Sequence, residues 1–356
     1  MSNSYRSVNW SPFKRRYDLV LATGIIAFIA LFVAVSKAII PSDFGISDEI
    51  LVIRALGACA FTMLTVILCI GPLARLSPRF LPLLYNRRHF GVAMFAIAFA
   101  HAALATVWYH GFGDVNPLVS VLTSGAEYDS FAEFPFQPLG LAALLILFAM
   151  AATSHDYWLA NLGPRAWKSL HMLVYVAYVL LVGHVALGVL QVGPEPIATI
   201  GTATSLGLVG SLHLAAGLRE RNRDHRPPTA AEDGWVEVGD IDDIPEDAGR
   251  IVVLEGCRRV AVFRHEGGFS ALSNTCAHQG GPLGEGRIVD GCLTCPWHGY
   301  QYIVTNGQSP PPFTERIPTY ELRVEGRTIW INPEAREPGT SIEPARIEDG
   351  TEASDD

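Results

Sequence analysis

Six stretches of this 356-residue chain contain no Lys, Arg, Asp or Glu, and no other feature of the sequence restricts its fold as strongly. They are residues 19–36, 55–74, 90–113, 134–155, 169–192 and 197–218. Each is near or above the ~18 residues that a helix rising about 1.5 Å per residue needs to cross the hydrocarbon core. Buried helices of a soluble bundle are the alternative, but those normally keep a charged outer face, which these lack. A six-helix transmembrane bundle over residues 18–218, after a short tail at 1–17, is therefore expected. The first stretch exceeds a signal-peptide core and has no convincing small-residue cleavage site after it, so it is kept as an anchor in the lipid bilayer.

Basic residues set the orientation. Arg6, Lys14, Arg15 and Arg16 precede the first stretch, Arg75, Arg79, Arg87 and Arg88 lie between the second and third, Arg165 and Lys168 between the fourth and fifth, and Arg219, Arg221, Arg223 and Arg226 after the sixth. The opposite side has only Lys37 and Arg54, both at helix ends, which places both termini in the cytoplasm and the chain in the inner (plasma) membrane as a multi-pass protein. The outer loop 110–137 carries Asp114, Glu127, Asp129 and Glu133 with no Lys or Arg, and is long enough to fold over an outer-face site. A net charge of −9, with the basic residues explained by membrane orientation, leaves no surface for nucleic acid.

Intramembrane histidines are costly in lipid, so they face the bundle interior and have partners. His101 is at the middle of the third stretch, and His171 and His184 lie towards the inner and outer ends of the fifth, roughly 20 Å apart along a helix. Ligand pairs are thus available at two depths, as a b-type haem requires, although each histidine taken singly is equally well a ring bonded to a carbonyl. Thirteen residues turn an ideal helix by roughly 220°, so His171 and His184 do not share a face. His110, His155 and His213 fit interfacial or packing positions, and Cys59 and Cys69 fit packing positions in the second helix.

The rest of the chain is different in kind. Residues 219–233, RERNRDHRPPTAAED, form a charged linker broken at Pro227-Pro228. Residues 234–333 show short alternating runs separated by Gly, Asn and Asp, which predicts a small all-β domain. Within it Cys276-Ala277-His278 is followed, sixteen residues on, by Cys295-Pro296-Trp297-His298. Two thiolates and two imidazoles at such spacing can hold zinc. The flanking Gly280-Gly281-Pro282 and Gly299-Tyr300 instead favour two tight loops that close over a cluster and aim backbone N–H groups at its sulfurs. Cys257 and Cys292 read as reduced packing residues. Residues 334–356 carry eight acidic residues against Arg336 and Arg346, which predicts a disordered acidic tail.

The run Arg87-Arg88-His89-Phe90-Gly91 with His101 ten residues after the glycine, then Ala152-Thr153-Ser154, Leu162-Gly163, Trp167, Leu170-His171, Val174-Tyr175 and His184, resembles the ferric reductase-like transmembrane domain family. Within it the resemblance is nearest to the haem-binding membrane subunits of periplasmic methionine sulfoxide reductase systems, and more distant to the cytochrome b core of NADPH oxidases. It implies that His101, His171 and His184 hold haem b, with His101 and His184 the better bridging pair by depth. His171 then needs a partner, and His89 at the cytoplasmic surface is the candidate for a second haem. Met172 stands where the family often has an Arg that meets a haem propionate.

The two Cys-His boxes closely resemble a Rieske [2Fe–2S] domain. The resemblance implies that Cys276 and Cys295 hold one iron and that His278 and His298 hold the other, more exposed one. Gly281 and Trp297 replace the extra cysteines, and Tyr300 the serine, of respiratory Rieske proteins, which implies a ferredoxin-type domain towards the lower end of the ~−150 to +300 mV range.

Together these features imply an electron-transfer oxidoreductase. No glycine-rich dinucleotide fingerprint is present, so a separate flavin reductase or ferredoxin is the expected cytoplasmic donor, with quinone or a periplasmic, outer-face acceptor. A membrane-anchored Rieske oxygenase component and a non-catalytic redox sensor are the alternatives. The first requires a mononuclear iron on two histidines and a carboxylate, for which the soluble part offers only His225 and His265.

Overall fold

The computed structural model describes residues 12–39, 46–80, 83, 87–123, 134–154, 156–192, 196–224, 233–278, 280–289, 291–296, 300–311 and 313–346. The outer-loop residues Glu127, Asp129 and Glu133, together with His155, His225, Pro227-Pro228, Trp297 and His298, lie outside them. The chain divides into two compact units, residues 1–69 with 86–211, and residues 70–85 with 212–356.

Eight α-helices are formed by the described residues of the first 224 positions: α1 (Pro12–Ile39), α2 (Asp48–Leu76), α3 (Arg87–His110), α4 (Pro117–Thr123), α5 (Gln137–Ala152), α6 (Asp156–Met172), α7 (Val174–Val192) and α8 (Pro196–Asp224). Four described segments are long and apolar enough to cross a membrane: Arg15–Ile39, Asp48–Leu76, Arg87–His110 and Ala166–Gly188. Two expected spans differ from this standard. The fourth stretch yields only the 16 residues of α5, about 24 Å of helix against the ~30 Å hydrocarbon core. The sixth lies in α8, whose Thr199, Thr202, Thr204, Ser205 and Ser211 dilute its apolar character. One of those hydroxyls also ties the helix to its neighbours: Ser205 meets both Thr65 of α2 and Tyr178 of α7 at 2.7 Å, and all three residues are buried.

The fifth stretch departs from a single straight helix. Helicity begins at Asp156, and the path is interrupted at Leu173, where Leu173 N–H bonds the Leu170 carbonyl at 3.1 Å. His171 thus closes α6 while His184 belongs to α7. Helix α8 also continues to Asp224, so the first residues of the expected linker are helical.

The second unit carries eleven strands: β1 (Val236–Asp240), β2 (Gly249–Leu254), β3 (Arg258–His265), β4 (Gly268–Ser273), β5 (Arg287–Val289), β6 (Cys292–Thr294), β7 (Gln301–Ile303), β8 (Thr319–Tyr320), β9 (Leu322–Glu325), β10 (Thr328–Ile331) and β11 (Ala345–Arg346). They form three antiparallel sheets: β1-β10-β9, β11-β4-β3-β2 with β8 also on β4, and β5-β6-β7. The alternation read from residues 250–254, 260–264, 320–324 and 328–331 is thus met by β2, β3, β8 with β9, and β10. Two apolar clusters fill the domain. One joins Val236, Ile244, Val260, Phe269 and Ile331 beneath the first two sheets, and the other joins Phe263, Leu272, Leu283, Leu293 and Tyr302 with Cys276 and Cys295.

The expected disordered tail is corrected for residues 334–346. Arg336 N–H bonds the Thr319 carbonyl at 2.9 Å, Ile342 N–H bonds the Thr305 carbonyl at 2.9 Å, Thr319 Oγ1 donates to the Thr340 carbonyl, and Ala345 pairs with Phe269 as β11. This strap runs along the domain because its amides find partners and Ile342 has Phe269 and Tyr320 as neighbours in one small cavity. Removing residues 334–346 is expected to destabilise the domain by on the order of 3 kcal/mol, from several lost hydrogen bonds worth about 1 kcal/mol each. Thermal unfolding of the full and truncated chains measures it, and an unchanged midpoint would show the strap to be passive.

Candidate functional site

In the helical unit, His101 of α3 and His184 of α7 are brought close together with their ring planes nearly perpendicular. Their ring centres are 6.4 Å apart with planes at 82°. Each ring is oriented by a backbone carbonyl: His101 Nδ1 lies 2.8 Å from the Ile53 oxygen of α2, and His184 Nδ1 lies 2.9 Å from the Phe136 oxygen just before α5. A carbonyl only accepts, so Nδ1 carries the hydrogen in both rings and Nε2 keeps the lone pair that a metal would take. Two imidazoles on opposite sides of one metal have centres about 6 Å apart, since each metal–nitrogen bond is about 2 Å and each ring centre lies roughly 1 Å further. The observed spacing fits that arrangement.

Two glycines make room for the pair. A Cβ on Gly57 would lie 2.9 Å from His101 Cε1, and one on Gly140 would lie 2.7 Å from His184 Nδ1. Any larger residue at either position displaces an imidazole. Phe136 adds a tilted aromatic contact to His184 at 5.3 Å.

His171 stands apart from this pair. It stacks on Trp167 at 3.7 Å and donates Nδ1–H to the Trp167 carbonyl at 3.0 Å, while Trp167 Nε1 is tied to the Thr153 carbonyl. Its Nε2 is buried and makes no hydrogen bond of normal geometry among the described residues, with the Met150 carbonyl the other backbone acceptor near the ring. His89 is held by Asp18, Nδ1 to Oδ1 at 3.1 Å. His110 contacts Ser120 of α4 at 2.9 Å.

In the β unit the two Cys-His boxes sit on loops closed in the same way. Cys276 N–H donates to the Gly281 carbonyl at 2.9 Å, and Cys295 N–H donates to the Tyr300 carbonyl at 2.8 Å. Gly280 takes φ +72°, the left-handed conformation the first turn requires, and its N–H returns to the Cys276 carbonyl. Both sulfurs are buried in one apolar cluster and neither is in a disulfide, whereas His278 is partly exposed. This depth ordering suits a two-iron cluster with thiolates inward and imidazoles outward. Among the described residues no group of three or more His, Cys, Asp or Glu side chains is placed to hold one metal ion. His298, the fourth expected ligand, lies outside the described residues.

Two tyrosines complete this region, Tyr300, read from the sequence only as a loop residue in place of a serine, and Tyr302, which the sequence did not single out. The Tyr302 hydroxyl accepts the Ala277 N–H at 2.9 Å and lies 3.4 Å from Cys276 Sγ, to which it would donate when that sulfur is a thiolate. Burial first, and then the Cys276 sulfur, hold the Tyr302 phenol far above its ordinary pKa, so it stays a donor. Such a bond withdraws charge from the sulfur and raises the potential, a feature that expectations based on Tyr300 alone left out. Tyr300 stacks on His278 at 4.8 Å with planes 8° apart and donates its hydroxyl to the Glu315 carboxylate. The signal was available: residues 300 and 302 alternate after the second ligand box, which puts both on one face of an extended chain.

Comparison with known proteins bears on both units. Residues 56–182 match the family described as the ferric reductase-like transmembrane component, and residues 234–321 match the Rieske [2Fe–2S] domain. The haem-binding subunit MsrQ of a protein-methionine-sulfoxide reductase from an Enterobacter species is 31% identical over 186 residues, covering 52% of this chain and 85% of that protein. The ferredoxin component of an alkene monooxygenase system from Xanthobacter autotrophicus is 34% identical over 111 residues, covering 30% of this chain and 89% of that protein. The ferredoxin subunit of an anthranilate 1,2-dioxygenase from Burkholderia cepacia is 34% identical over 101 residues, covering 28% and 91%.

Proposed function

We propose a transmembrane electron-transfer function for this chain, which belongs to the ferric reductase-like transmembrane component family through residues 56–182 and to the Rieske [2Fe–2S] domain family through residues 234–321. In this reading the chain takes electrons from a cytoplasmic flavin reductase or ferredoxin at the Rieske domain and delivers them through haem b to quinone or an outer-face acceptor. Both termini and the Rieske domain lie on the cytoplasmic side of the inner membrane, and α5 and α8 join the four longer apolar segments as the remaining crossings of a six-helix bundle.

The single observation that carries the reading is the His101–His184 pair. Its 6.4 Å spacing, the two Nδ1–carbonyl bonds and the two glycines that admit the rings support a site in which His101 and His184 would hold haem b. Bound there, haem b supplies a one-electron carrier in an apolar setting. The chain's own contribution is to fix both tautomers and both ring positions before any ligand arrives. In the β unit Cys276, His278, Cys295 and His298 are assigned to the cluster, and the Tyr302 hydroxyl sets charge on the Cys276 sulfur. The buried Nε2 of His171 favours a second ligand site at the inner depth, for which His89, oriented by Asp18, is the proposed partner.

An optical and EPR redox titration of the detergent-purified protein tests the proposal. The expected result is a Rieske signal together with b-type haem, the cluster at lower potential than a haem. A cluster without haem would reduce the helical unit to an anchor or a substrate site and end the transmembrane reductase reading. The haem count per chain decides the His89 and His171 site.

A further inference from the structure

We propose that Tyr300 and Glu315 act as a positioning pair for His278, the hydroxyl bond between them holding the phenol ring at the angle on which the imidazole stacks. The proposal rests on the assignment of His278 to a [2Fe–2S] cluster.

Glu315 is itself fixed before it reaches Tyr300. Ser309 N–H donates to the Glu315 carbonyl at 2.9 Å and closes the loop 309–315, and Thr314 N–H donates to Glu315 Oε2 at 3.1 Å. The carboxylate so presented accepts the Tyr300 hydroxyl. At its other end Tyr300 closes the second ligand loop through its carbonyl to Cys295 N–H. Tilted rings limit it laterally, Tyr302 at 5.4 Å and 52° and Phe313 at 5.0 Å and 56°. The ring that remains for His278 is thus anchored at the backbone, at the hydroxyl and on two flanks.

An imidazole bound to iron through one nitrogen has one free rotation, about that bond. A parallel ring 8° away removes it. The stack also presents the electron-rich face of a phenol to an imidazole that is more positive when the iron is oxidised, which favours the oxidised cluster and lowers its potential. Without the Glu315 anchor the phenol turns, the stack loosens, and both effects diminish.

Three variants of the full-length protein separate positioning from charge. Tyr300→Phe keeps the ring and the Glu315 charge but removes the bond; Glu315→Ala removes bond and charge; Glu315→Gln removes the charge and keeps an acceptor. The readouts are the EPR line shape and the electron-sharing equilibrium between cluster and haem, with the haem spectrum as internal standard. Y300F and E315A are expected to alter the line shape and to shift the equilibrium towards the reduced cluster about threefold, ~28 mV at 59 mV per tenfold, and E315Q to restore the wild-type line shape. Wild-type line shape and equilibrium in both Y300F and E315A would overturn the proposal. Should Y300F assemble no cluster, the comparison passes to E315A against E315Q, and identical behaviour of those two overturns it as well. Absence of any Rieske signal in the wild-type protein would instead overturn the functional reading, an outcome distinct from a signal the substitutions leave unchanged.

Discussion

His184→Ala is expected to abolish binding of the outer haem while the Rieske EPR signal persists, and His101→Ala to do the same. On the proposed reading the two neighbouring rings share one haem, so removing either would leave a single imidazole, and haem content is expected to fall towards zero. The glycines provide a gentler version of the same test. Gly140→Ala puts a methyl where the nearest atom is His184 Nδ1 at 2.7 Å, and the ring must leave the Phe136 carbonyl to accommodate it. Overpacking of this sort costs about 1–3 kcal/mol, enough to weaken haem binding by roughly five- to 150-fold. Gly57→Ala acts on His101 in the same way. His171→Ala is expected to leave this haem in place, because His171 contributes to neither ring's surroundings. Haem content by absorbance of the purified variants decides it: full haem content in H184A would remove His184 from the site.

Much of this site was legible before any coordinates, and the reason is depth. Counting along two helices puts His101 and His184 on the same side of His171 in depth, and rings at similar depth in neighbouring helices are candidates to meet. What counting along one helix cannot supply is the partner surface. Gly57 lies 44 positions from His101 and Gly140 lies 44 positions from His184, and neither glycine has a local signature, because its purpose is to be small where another helix presents a ring. The break at Leu173 was equally hidden: the segment LHMLVYV has neither proline nor glycine, so nothing local marks it. In the β unit the ligand boxes were plain from their types and spacing. The Tyr300–Glu315 contact was not, since it depends on how the proline-containing loop 309–315 folds back. The strap was misjudged for a different reason. Its acidity was averaged over 334–356, yet the described part 334–346 carries only Glu334, Glu337 and Glu343, with Ile342 and Pro344 available for packing.

Cys295→Ala is expected to remove the cluster and with it the delivery of electrons from the cytoplasmic side, while haem stays bound and remains reducible by dithionite. The separation follows from the two units having their own cores: Cys276 and Cys295 lie among Leu283, Leu293 and Tyr302, whereas His101 and His184 lie among helices α2, α3, α5 and α7. Within the β unit, the second apolar group around Val236, Val260 and Phe269 does not include either cysteine, so its sheets are expected to survive the substitution. Loss of activity by general unfolding is thereby distinguished from loss of a carrier, since limited proteolysis would cut a collapsed domain and spare a folded one. With NADH and a flavin reductase as the electron source, haem reduction in the variant is expected to slow roughly a hundredfold, equivalent to about 2.7 kcal/mol of barrier. His278→Ala is expected to give the same kinetic result through the other iron. If either variant reduces its haem at the wild-type rate, the Rieske domain is not on the path from the cytoplasm, and its place in the chain would then be that of an outlet or a sensor.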